Sequence, residues 1–264
     1  MARHIPDITN TTTTTNSTRT ANSANRATTQ RVSWRTLMFI LAIIVSLVAL
    51  FIPMDIFGMN FMFSVHMIQH LLLSLIAPPL FLLSIPPQRI RPLLDQHSGM
   101  KRAVMFLTLP VIASVLFNAN IWLWHAPPLF QAMMASELLH LLVDILYLLT
   151  GCIFWWPLLN PDQNEKRVLP LGGLLAYIFF SDMPMMLIGA GMTFSPPLYT
   201  IPMTHPTMQM IVTPQDQQLG GLLMWVASSI FLIIIASVFF LRWMLRQEKA
   251  QRALEAAEWD EDEE

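Results

Sequence analysis

The chain has 264 residues, 54% of them hydrophobic and only 12% charged, with a formal net charge of −2. An ordinary soluble domain is about 25% charged, so a soluble enzyme is excluded, and the lack of a folded basic face argues against nucleic-acid binding as the main task. The single cysteine, Cys152, cannot form an internal disulfide and removes every metal pattern built on paired cysteines. A mean hydropathy of +0.52 and repeated long apolar runs point to a polytopic membrane protein.

Residues 1–35 are rich in Thr, Asn and Ser with scattered arginines and read as a disordered tail. Six apolar stretches follow, at residues 36–52, 63–85, 103–124, 138–157, 171–191 and 219–241. Each is close to the roughly 20 residues that cross a bilayer as a helix. The first resembles a signal peptide in length but lacks a convincing small-residue cleavage site, so it is expected to stay as an anchor. The domain plan is therefore a tail at 1–35, a transmembrane bundle at 36–245 and an acidic, solvated tail at 246–264.

Charge sets the expected orientation. Arg89, Arg91, Lys101 and Arg102 mark one connection, Lys166 and Arg167 another, and Arg242, Arg246, Lys249 and Arg252 follow the last stretch. The connections at 53–65, 125–136 and 192–218 contain no Lys or Arg. The positive-inside rule then predicts cytoplasmic termini, with these three loops on the outer side.

Five of the seven histidines fall on that outer side: His66 and His70 open the second stretch, His125 closes the third, His140 lies a turn into the fourth, and His205 is in the last outer loop. The acids share the bias, with Glu137 and Asp144 flanking His140, Asp182 in the fifth stretch and Asp216 beginning the sixth. His66 and His70 are four apart, so a helix projects both imidazoles from one face, where they can reach one metal ion or bracket a cofactor. The plainer alternative is hydrogen bonding to interfacial carbonyls and water. His140 and Asp144 repeat the spacing, as a ligand with its carboxylate partner or as a packing hydrogen bond between helices. An aspartate inside a span faces the bundle interior on either reading.

Methionine is abundant, at 19 residues, and much of it lies toward the outer side, including Met54, Met59, Met62, Met67, Met133 and Met134. Thioethers with imidazoles select monovalent copper over hard cations, although any single methionine serves equally as apolar filler. Proline pairs at Pro78-Pro79, Pro86-Pro87, Pro127-Pro128 and Pro196-Pro197 predict kinks or breaks. Trp122, Trp124, Trp155, Trp156 and Trp225 sit near span ends, as interfacial anchors do. No phosphate-cradling glycine loop, Gly-x-Ser-x-Gly turn or His-Glu-x-x-His motif is present, which disfavours hydrolytic and nucleotide-driven chemistry.

Five strings occur in order between about residues 60 and 240: His66-Met-Ile-Gln-His70 with Ala77-Pro-Pro; Trp124-His125-x-Pro-x-Leu-Phe; Leu139-His140 with Phe154-Trp-Trp-Pro157; Thr193-Phe194 with Pro197-Leu-Tyr199; and Asp216-Gln-Gln-Leu-Gly-Gly-Leu-Leu-Met-Trp225. Together the chain resembles the CtaG-type assembly factors of caa-type cytochrome c oxidase. That resemblance implies an integral membrane protein, not an enzyme, that matures a haem-copper oxidase, with copper as the suspected cargo. His66, His70, His125, His140 and Asp216 fall at the family's motif positions. Members of the family often carry a second histidine where this chain has Asp144, and often seven spans where six are counted here.

The sequence thus leads to an all-α polytopic bundle of about six spans in the bacterial cytoplasmic membrane, both termini cytoplasmic. Its expected metal residues are His66, His70, His125, His140, Asp144 and Asp216, on the periplasmic side. Copper is the expected ion, and oxidase subunits or other assembly factors, together with membrane lipid, are the expected partners, with no role for nucleic acid. Two other readings use the same residues: a haem protein exchanging electrons with quinone, and, ranked last, a copper or proton permease.

Overall fold

The computed structural model describes residues 34–51, 62–161, 168–199, 203–205, 208–210 and 212–262. The expected N-terminal tail lies outside the described residues up to position 33. Helix α1 (Trp34–Phe51) turns Met38, Ala42, Ser46 and Ala49 inward and leaves Ile40, Ile44 and Val48 exposed, as a lipid-facing helix does. Its Phe39 meets Phe81 edge to face at 6.1 Å.

Helix α2 (Phe63–Ser84) contains a π-helical turn over Leu72–Ile76. The turn answers Pro78 and Pro79, which lack N–H groups and would clash with carbonyls in a regular α-helix. The Ala77 N–H reaches back to the Leu72 carbonyl, and the Ser74 hydroxyl donates to the His70 carbonyl at 2.6 Å. Helix α3 (Pro87–Gln96) is short and carries exposed Arg89 and Arg91.

The third apolar stretch is not one helix. Helix α4 (Ser98–Leu107) and helix α5 (Pro110–His125) meet at 73°. Leu109, preceding Pro110, is held extended (φ −61°, ψ 132°), the conformation that the following proline ring enforces. Among the described residues, five helices are long and apolar enough to cross a membrane, and the bent pair makes up to six.

Helix α6 (Pro127–Met134) is a short connection. Helix α7 (Glu137–Leu159) is capped by the Ser136 hydroxyl, which accepts from the Leu139 N–H at 3.3 Å, and it ends on left-handed Asn160 (φ 44°). Helix α8 (Leu171–Phe194) runs through Pro184. A two-stranded antiparallel ribbon follows, β1 (Met203–His205) against β2 (Met208–Met210).

The last helix, α9, opens at Pro214, passes a second π turn at Leu223–Ala227 and continues to Asp262. The charged end expected as a separate tail is thus helical as far as residue 262, with alternating partners such as Glu248 and Arg252, 2.5 Å apart and four residues apart.

Helix α5 packs on α7 and α8, α7 packs on α2, and the start of α9 packs on α2 and α8. Small residues bring the backbones close. A Cβ on Gly151 of α7 would stand 2.6 Å from the Ser74 carbonyl oxygen in the α2 π turn. Gly189 of α8 lies against Gly221 and Trp225 of α9 in the same way. Trp155, expected at the interface, is instead 1% exposed and packs edge to face against Phe154 and Phe231 in the core.

Candidate functional site

The first turns of α2 and α7 and the last turn of α5 lie at one end of the bundle, and their polar side chains converge there. On α2, His66 and His70 pack ring against ring with centroids 4.0 Å apart. The 3.6-residue repeat puts them on one face, and that face meets α7, where His140 lies 5.1 Å from His66. One ring nitrogen from each of His66, His70 and His140 falls within 4.8 Å of the other two. All three residues are buried, His66 completely. His70 lies seven residues into α2, about 10 Å along its axis.

Asp144 sits over this trio. Its Oδ1 is 3.9 Å from Nε2 of His70 and 3.9 Å from Nε2 of His140, while its Oδ2 accepts from the Gln69 side-chain amide at 2.9 Å. Among the described residues, neither ring nitrogen of His70 has a hydrogen-bond partner, nor does Oδ1 of Asp144. Two imidazoles and a carboxylate therefore face one another inside an apolar shell at distances too long for hydrogen bonds. Such a cluster costs free energy unless a ligand satisfies it.

His125, at the end of α5, stands beside the trio with its ring 6.0 Å from that of His70. Its Nδ1 donates to the Ile121 carbonyl at 2.7 Å, and its Nε2 lies 3.4 Å from Sδ of Met67. The Tyr199 hydroxyl donates to the His125 carbonyl at 2.7 Å, tying the loop after α8 to this turn. Burial pushes the Tyr199 phenol above its ordinary pKa. Aromatic rings close the remaining sides: Phe130 meets His66 at 5.3 Å, and Tyr147 meets His70 at 4.1 Å.

Asp216 is placed differently. Its two oxygens accept the backbone N–H groups of Phe63 (2.6 Å) and Ser64 (3.1 Å), so it caps α2 from the start of α9. That location complements the helix dipole and fixes where the histidine face begins, rather than adding a donor to the cluster. Asp182 is also apart, deep in α8, accepting from the Ser229 hydroxyl at 2.6 Å. The side chain of His205 lies outside the described residues.

Gln69 and Tyr147 belong to the site although the sequence reading assigned them no role. Their signal was spacing: Gln69 follows His66 by three, and Tyr147 follows Asp144 by three and His140 by seven, all on shared helical faces. The resulting chemistry is a buried set of imidazole nitrogens with one carboxylate positioned to orient them or to join them. Around a tetrahedral ion, metal–nitrogen distances of about 2.0–2.1 Å place nitrogens roughly 3.3 Å apart. The trio would close by an ångström or so to hold one.

The profile of the cytochrome c oxidase caa3 assembly factor family, Caa3_CtaG, matches residues 18–246. An uncharacterized protein of Mycobacterium bovis is 27% identical over 224 residues, covering 76% of the chain, and one of Mycobacterium leprae is 26% identical over 200 residues, covering 69%. The chain spans only about a third of the length of these relatives, 32% and 30% respectively. No solved structure matches it significantly. With most of its length matched, and with the bundle and its converging motif residues as described, the chain belongs to the cytochrome c oxidase caa3 assembly factor family.

Proposed function

We propose that this protein assists the assembly of a haem-copper cytochrome c oxidase by holding copper transiently in the site formed by His66, His70 and His140. The observation that carries this reading is the convergence of three imidazole nitrogens within 4.8 Å, from two helices, beneath the Asp144 carboxylate. Copper is cargo here, received and passed on, and the protein performs no catalysis. Its partners are an oxidase subunit or another assembly factor. The positive-inside distribution supports a site near the periplasmic face of a bacterial cytoplasmic membrane, with both termini cytoplasmic.

Imidazole is a good donor to copper in either oxidation state, and the Asp144 carboxylate holds the rings in orientation as outer partners of metal ligands commonly do. Rings packed 4.0 and 5.1 Å apart suit one small ion better than a porphyrin plane, which would have to part them. Replacing His70 by Ala should abolish copper retention by the detergent-purified protein and reduce oxidase activity in the membranes, while the protein still inserts. A His70→Ala protein that inserts, holds no copper and still supports full oxidase assembly overturns the copper mechanism. Measuring copper and haem on one purified sample separates the readings, since a strong Soret band with little copper would identify a haem protein instead.

A further inference from the structure

We infer that His125 and Met67 form a second, soft metal site beside the histidine trio, one that takes a monovalent cation of the copper(I) or silver(I) class. This deepens the copper reading and rests on it for the identity of the cargo, while the pair has its own geometry. Nδ1 of His125 is 2.7 Å from the Ile121 carbonyl oxygen. A carbonyl can only accept, so the ring proton is on Nδ1, and a neutral ring then presents a bare lone pair at Nε2. That lone pair lies 3.4 Å from Sδ of Met67, which has no proton to give. The Tyr147 hydroxyl is 3.5 Å from Nδ1, the opposite nitrogen, and does nothing for Nε2.

Two electron-pair donors thus face each other at contact distance in a place that water does not reach: Met67 is 0% exposed and His125 6%. A cation between them turns this unfavourable contact into two bonds. With metal–nitrogen about 2.0 Å and metal–sulfur about 2.3 Å, a 3.4 Å separation corresponds to an N–metal–S angle of about 104°. The two side chains are therefore already spaced to chelate, with no rearrangement. The thioether supplies the selectivity, because soft sulfur favours monovalent copper and rejects magnesium, calcium and other hard ions.

The pair also stands next to the trio. Met67 lies between His66 and His70 on α2, and the His70 ring is 6.0 Å from His125. An ion bound by the pair can exchange ligands directly onto His70 without crossing apolar space. Tyr199, bonded to the His125 carbonyl, holds the end of α5 in register for this.

The test uses full-length protein in detergent, carrying Cys152→Ser to remove the one thiol, loaded with one equivalent of silver(I). Silver is redox-inert, and absorption at its X-ray edge identifies the bound atoms. A sulfur neighbour together with nitrogen is expected. Met67→Ile, which keeps an apolar side chain of similar bulk, should lose the sulfur signal and bind silver about tenfold more weakly or worse, with unchanged circular dichroism. Absence of sulfur in the parent protein, or its persistence in Met67→Ile, overturns the inference. In His140→Gln, which cripples the trio alone, retention of the silver–sulfur signal supports a separate site whatever becomes of copper loading. Its loss there shows that the pair is not a site of its own.

Discussion

Two of the polar regions buried in this bundle are bonded differently. In the middle, the Asn118 amide of α5 donates to the carbonyls of Ser114 and of Ser181 on α8, both at 3.0 Å. The Ser181 hydroxyl bonds Ser114 at 2.9 Å, Asn120 donates to Thr150 of α7 at 3.3 Å, and Ser229 of α9 donates to Asp182 at 2.6 Å. Donors there meet acceptors across helix pairs, and among the described residues of this region only the Asn118 and Asp182 Oδ1 atoms are left over. At the histidine end, by contrast, polar atoms face one another without bonding: among the described residues His70 has no hydrogen-bond partner on either nitrogen, and Asp144 Oδ1 hangs 3.9 Å from two rings. The first arrangement joins helices; the second leaves its polar atoms turned toward one another.

The contrast is sharpest when donors are removed from the histidine end. Changing His70 and His140 together to Phe should cost copper affinity about 100-fold or more, above the 10–100-fold typical of losing a partner one shell further out. The midpoint of thermal unfolding should change little, because neither ring is within hydrogen-bond distance of Asp144, which keeps its bond from Gln69. Calorimetry alongside a copper titration checks both; a large fall in unfolding temperature would mean that the imidazoles are structural after all.

A smaller effect is expected at Asp216, which shapes the site without facing it. Asp216→Ala leaves two buried N–H groups at the start of α2 without acceptors and should destabilise the protein by about 2 kcal/mol or more. Copper affinity should fall by less than in the double histidine variant. Equal losses in the two variants would make Asp216 part of the site.

The smallest effect belongs to the middle region. Ser181→Ala removes one interhelical hydrogen bond, worth about 0.6 kcal/mol on average in membrane bundles. Copper binding should not change at all, and any change would couple the two regions.

Most of the spans could be read from hydropathy because each is a nearly continuous apolar run, and the grouping of His66, His70, His125 and His140 could be read from their spacing and from the charge bias of the loops. The bend at Pro110 was hidden by the same apolarity: a hydropathy window passes over Leu109 without registering that the residue before a proline leaves the helix. Asp216 was misjudged in kind, since its partners, Phe63 and Ser64, are more than 150 positions away in the chain. Trp155 shows the limit from the other side, because nearness to a span end does not tell whether an indole faces lipid or the core.

The π turn at Leu72–Ile76 has a consequence for helical phase. Each residue advances an α-helix by about 100°, so one residue accommodated in a wider turn rotates everything before it relative to everything after it. The aim of His66 and His70 toward α7 is thereby set independently of how Pro78 and Leu82 seat in the rest of the bundle. Deleting one residue from the turn would straighten α2 and swing both imidazoles by about a quarter-turn, away from His140, while leaving every apolar span long enough to insert.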